Sequence, residues 1–162
     1  MPKTASHMLL TFTSLATILK LIGVPSRYTL TSIAPVLLVD LMIDLGHTSS
    51  GRSAITHSII TAPIAGWLAY ILTSASISLL LEPLMLDGGL LETFTPYGCL
   101  YASLLHLLLD SLTYQGVHIP GLGWVSMADL ESQGAVANII PVAISIALIY
   151  FFWAGGWVWT PI

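Results

Sequence analysis

The chain has 162 residues, of which 56% are hydrophobic and 7% charged, and its mean hydropathy is +0.89. A water-soluble domain of this size has too little interior to hide that much apolar surface, so the composition predicts an integral membrane protein. Four basic and eight acidic residues give a formal net charge of −4 without a basic stripe to follow a phosphate backbone, which excludes nucleic-acid binding. The single cysteine, Cys99, excludes an intramolecular disulfide.

In chain order, the N-terminal Met-Pro-Lys-Thr-Ala-Ser-His leads into an apolar run without a small-residue cleavage site, read as a retained helix. Five apolar stretches, at 8–24, 29–45, 59–81, 98–114 and 139–159, each approach the ~20 residues that cross a bilayer. They predict an all-α integral membrane bundle of about five transmembrane helices, a single domain over 1–162 and a multi-pass protein of the cell membrane. Pro35, Pro63 and Pro141 fall inside these stretches, where neighbouring helices can satisfy the freed carbonyls. The breakers lie between them, and the connection 115–138 is expected as a loop over the site. Trp153, Trp157 and Trp159 form an interfacial anchor.

Threading the chain through five spans brings all five histidines, His7, His47, His57, His106 and His118, to one membrane face and leaves Asp87 on the other. Lys3 and Arg52 then oppose Lys20 and Arg27, so the count of positive charges leaves the orientation open.

The sharpest local pattern is His106-Leu-Leu-Leu-Asp110-Ser-Leu-Thr113, because helical residues three and four apart share a face. A histidine nitrogen and a carboxylate oxygen suit zinc, manganese or iron, whereas an isolated polar pair at membrane depth is costly. The bland alternative is an interhelical hydrogen-bonded pair. Asp40, Asp44 and His47 repeat the offsets of four and three. Carboxylates so crowded need a dication, Arg52 or protonation to neutralise them, unless they simply snorkel into interfacial water. Arg52-Ser-Ala-Ile-Thr56-His57-Ser58 precedes the third span, where free amides favour an anion, although Thr56 or Ser58 could equally be an ordinary helix cap. His7, at the mouth of the first span, is a candidate extra ligand.

An early His7, Asp44-Leu-Gly-His47, Arg52 with Thr56-His57-Ser58, and His106-x-x-x-Asp110-x-x-Thr113-x-x-Gly116 follow one another in that order. This combination resembles the YdjM-like family of membrane-bound metal-dependent hydrolases, most closely its archaeal branch, over about the first two-thirds of the chain. The resemblance implies a ligand set of His7, Asp44, His47, His57, His106 and Asp110. Two departures stand out: the tight Asp-x-Asp-His cluster of bacterial members is stretched here into Asp40 and Asp44-Leu-Gly-His47, and Arg52 lies one residue further from Thr56.

The expected function is a membrane-embedded hydrolase in which one or two divalent metal ions, zinc first, activate water against a phosphoester or a lipid such as phospholipid. Arg52 is expected to hold an anionic substrate, and Asp40 or Asp129 to orient or deprotonate water. The bilayer is the expected partner. The alternative is a non-enzymatic accessory or assembly subunit with a structural polar or metal site; a transporter would place its polar groups near the midplane.

Overall fold

A computed structural model of the chain describes residues 4–25, 28–29, 33–45, 47–48, 51–84, 88–128, 130–131 and 134–154. The described helices are α1 (Thr4–Leu21), α2 (Ile33–Asp44), α3 (Thr61–Leu84), α4 (Gly88–Ser111) and α5 (Ala135–Ile149), the last running into a π-helical turn, Tyr150–Ala154. Two antiparallel ribbons interrupt them, β1 (His47–Thr48) with β2 (Gly51–Arg52), and β3 (Val117–Ile119) with β4 (Gly123–Val125).

These helices overlap the five apolar stretches, but reading them as five membrane spans is overturned. Among the described residues one helix, Ala135–Ala154, is long and apolar enough to cross a bilayer, with 17% of that window buried. The multi-pass cell-membrane assignment falls with the five-span bundle. The reason is physical. The twelve residues of α2 rise about 18 Å, against a hydrocarbon core of ~30 Å. In α1 the apolar run, Ala5–Leu21, is below crossing length. The inner face of α4 carries Ser103, His106 and Asp110, which dilute its hydropathy. The expectation of a purely helical chain is corrected as well: the supposed loop 115–138 contains the β3–β4 hairpin and the start of α5.

The central element is α4, which packs against α1, α2 and α3, while α5 lies along α1. Ser6 Oγ donates to Asn138 Oδ1 at 3.3 Å, and Lys20 Nζ donates to the Phe152 carbonyl and stands 4.6 Å over the Trp153 ring. Both ties join residues 132 apart, so α1 and α5 run parallel. At the end of α1, Val24 N bonds to Leu19 O at 2.9 Å and Gly23 N to Lys20 O at 3.1 Å, with Gly23 at φ +83°. That is the left-handed glycine stop of a Schellman turn, and its expected apolar contact is supplied by Val24 and Leu19, both buried in the core.

Leu15, Val36, Val39 and Ile43 fill the core on the side of α1 and α2. Between α3 and α4 the filling is small, with Ala62, Gly66 and Ala69 facing Cys99, Ala102 and Ser103. A Cβ on Gly66 would stand 2.9 Å from both Cys99 O and Ser103 Oγ, so the two backbones approach as closely as glycine permits. Polar side chains within the helices turn inward on themselves: Thr13, Ser14 and Thr17 donate to carbonyls four residues back at 2.6–2.8 Å. The outer faces are apolar, as with Trp67 on α3, Leu108 on α4 and Ile146 on α5, all exposed.

Candidate metal centre

Where α1, α2 and α4 meet beneath the first turns after β2, a cluster of charged residues and histidines is gathered inside. Asp40 and His57 are 0% exposed, His106 and Asp110 1%, and His7 3%. One helical turn of α4 sets His106 and Asp110 on the same face, and one turn of α2 does the same for Asp40 and Asp44. From the N-terminal side α1 brings His7, whose ring meets His106 edge-on at a centroid distance of 4.9 Å.

The His57 segment is held by the hairpin. His118 N donates to His57 O at 2.9 Å, and Ile59 N to His118 O at 3.2 Å, so residues 57–59 run as a third strand beside β3. Thr56 Oγ1 lies 2.9 Å from His57 Nδ1, which leaves Nε2 facing Asp110 Oδ2 at 3.5 Å. Ser58 Oγ accepts from Ile60 N at 3.3 Å.

Arg52 enters from β2 and is enclosed. Its guanidinium pairs with Asp110 Oδ1 and donates to Thr113 Oγ1 at 2.8 Å and Gly116 O at 2.9 Å, with the two charged side chains 1% and 2% exposed. Thr113 Oγ1 in turn donates to Asp110 O at 2.7 Å. Gly116 adopts φ +64° with its Cα pressed against the Val125 backbone, a position no side chain could occupy. Asp110, Thr113 and Gly116 of the His106-x-x-x-Asp110-x-x-Thr113-x-x-Gly116 pattern therefore take part in one clamp on Arg52.

The clamp leaves a set of donor atoms aimed at one another without hydrogen bonds. His7 Nε2, His106 Nε2 and Asp110 Oδ2 are buried and lack a hydrogen-bond partner, which is costly for groups closed off from water. His106 Nε2 is 3.4 Å from Asp110 Oδ2 and 3.6 Å from Asp44 Oδ1. Two triads result, His7–His106–Asp110 and Asp44–His57–His106, each with its donor atoms within 4.8 Å of one another. Donors 2.0–2.2 Å from a tetrahedral zinc ion stand about 3.3–3.5 Å apart, close to the spacings found here. These buried His and Asp groups could hold a metal ion.

Burial lowers the His106 imidazole, but the Asp110 and Asp40 carboxylates outweigh it and carry the pKa up to about 10. Burial raises the Asp110 carboxyl, yet His106 and Arg52 overcome it and hold it at about 2. His7 is lowered to about 4, by burial first and by the neighbouring His106 second, and is neutral. Burial also raises the Asp40 carboxyl. With its raised pKa His106 is an imidazolium in the metal-free chain, so the three carboxylates face two cations, Arg52 and His106, and an ion at Nε2 would take the place of the His106 proton.

Of the residues singled out in the sequence, the structure thus gathers His7, Asp40, Asp44, Arg52, His57, His106 and Asp110. The His47 backbone pairs with Arg52 across the β1–β2 ribbon, while its side chain lies outside the described residues, as do Asp129 and Asp87. The His118 ring meets Trp124 edge-on at a centroid distance of 5.6 Å, and its backbone is what supports the site. Arg52 sits in the wall of the cluster rather than at a solvent-facing anion subsite, and Asp40 lies behind His106 rather than beside the converging donors. The hairpin that fixes His57 was missed in the sequence, although Val117-His-Ile-Pro-Gly-Leu-Gly-Trp-Val125, a Pro-Gly turn between β-forming residues, carries its signal. Comparison with family models, curated proteins and solved structures returns no match, so the site is argued from its own geometry.

Proposed function

We propose that the chain is a metal-dependent hydrolase acting at this centre on a phosphoester or lipid substrate, in keeping with its resemblance to the YdjM-like family. The observation that carries the reading is the convergence of the buried, unpartnered His7 Nε2, His106 Nε2 and Asp110 Oδ2, with His57 Nε2 3.5 Å from the last. His7, His106 and Asp110 would hold the ion, zinc by the fit of their spacing, and in the fourth position a bound ion would supply Lewis acidity and a water of lowered pKa. Asp44, with its side chain 16% exposed, is the cluster's carboxylate open to solvent, and it takes the base role expected of Asp40 or Asp129. The Arg52 guanidinium keeps Asp110 ionised and oriented. A small, mostly apolar cleft of about 30 Å³, room for a water-sized group, adjoins His7 and is walled by Thr113, Leu109, Leu130, Ile140 and Pro141.

A second reading has its own support. Structural zinc sites are closed whereas catalytic ones keep an open position, and His57, His106 and Asp110 are almost wholly buried. An accessory subunit with a structural ion would look like this.

Purified wild-type protein and a His106→Ala variant, assayed for metal content and for hydrolysis of bis-p-nitrophenyl phosphate and of phosphatidylcholine micelles, separate the readings. The enzyme reading expects bound metal and metal-dependent turnover in the wild type and loss of both in the variant. Bound metal that stabilises the chain without turnover of either substrate class refutes it in favour of the structural ion.

A further inference from the structure

On the side of His106 away from the donor cluster, Asp40 Oδ1 lies 2.7 Å from Nδ1, with the two side chains at 0% and 1% exposure. A neutral imidazole carries one proton, and the partner of each nitrogen decides which of them holds it. A carboxylate accepts and does not donate. With an ion at Nε2 the imidazole is neutral, so Asp40 keeps its one proton on Nδ1 and the Nε2 lone pair is given on the side of Asp110 Oδ2 and Asp44 Oδ1.

Resting on the metal-site reading above, we propose that Asp40 is a positioning residue that fixes His106 as an Nε2 donor and, by occupying Nδ1, limits the centre to a single ion. Both donor triads include His106, and Nε2 has one lone pair to give. Among the described residues, a second ion held alongside the first by His106 or Asp110 would need Nδ1, which Asp40 holds, or a bridging Asp110 carboxylate, whose Oδ1 is held by Arg52. The triads are thus alternative positions for one ion, both anchored on His106. Closed off at 0% exposure behind the imidazole, Asp40 has no line to a bound water, so its influence passes through His106. Carboxylates that brace a ligating histidine in this way typically strengthen metal binding by roughly 10- to 100-fold.

The test uses the full chain and zinc itself. Native mass spectrometry should find one zinc per chain in the wild type. Nitrogen-15 spectra of the zinc-loaded protein should show His106 metal-bound at Nε2, with a far-downfield, exchange-protected Nδ1 proton. Asp40→Asn keeps the size but replaces the anion with a neutral amide; it should weaken zinc binding roughly 10- to 100-fold by chelator competition and move the Nδ1 proton upfield, with helical content unchanged. Wild-type zinc affinity and an unmoved Nδ1 proton in the variant would overturn the role of Asp40 while leaving the metal site standing. Two zinc ions per chain, or His106 bound through Nδ1, would overturn it from the wild-type protein alone, whether or not the variant folds. A wild-type chain that takes up no zinc overturns the metal-site reading and this inference together.

Discussion

Replacing Arg52 by glutamine should destabilise the chain more than any exposed charge removal. The guanidinium is the buried counter-ion of Asp110 and also binds Thr113 Oγ1 and Gly116 O. Removing one partner of a buried pair costs about 3–5 kcal/mol, because the other charge is left enclosed. The glutamine amide can keep one of the lost hydrogen bonds, worth about 1 kcal/mol, so a net loss of about 2–4 kcal/mol is expected. In a chain of 162 residues each kcal/mol shifts Tm by roughly 2–4 °C, so the midpoint should fall by about 4–16 °C. Thermal and denaturant unfolding followed by circular dichroism would measure this. Arg52→Lys should fall between wild type and glutamine, since an ammonium keeps the charge but cannot reach the three partners at once. A glutamine variant within about 2 °C of wild type would refute the clamp.

Gly66→Ala should cost about 1–3 kcal/mol in the same assay, because its Cβ would stand 2.9 Å from the Cys99 carbonyl and α4 would have to move away; an unchanged midpoint would show that the α3–α4 contact is looser than described. Stripping divalent metal with a chelator should lower Tm, and adding zinc at about one hundred times its dissociation constant should restore about 2.7 kcal/mol. A midpoint indifferent to both treatments would remove the ion from the account.

The sequence made His106 with Asp110, and Asp40 with Asp44, legible as pairs, because helical periodicity alone decides that residues four apart share a face. It could not show that Asp40 backs onto His106 Nδ1 while Asp44 turns towards Nε2, since that depends on how α2 is rotated against α4. The anion-holding expectation for Arg52 read its charge but not its enclosure, which is produced by Thr113 and Gly116 about 60 residues later. The five-span reading failed for a related reason. Apolar content and length were measured along single segments, while the polar faces of α1 and α4 acquire their meaning from one another. The 117–125 hairpin was hidden because its strands are three residues each, shorter than any window that registers alternation.

The proposed ligands come from positions 7, 106 and 110, with Asp44 and His57 beside them, so His106 and His7 are separated by 99 residues of chain. That separation sets the order of assembly. Only His106 and Asp110 can meet within one helix; the remaining donors arrive through contacts whose loop-closure entropy must be overcome first. An ion added to the unfolded chain finds two weak ligands at most, so it should leave the refolding rate almost unchanged and act instead on the finished structure, slowing its unfolding.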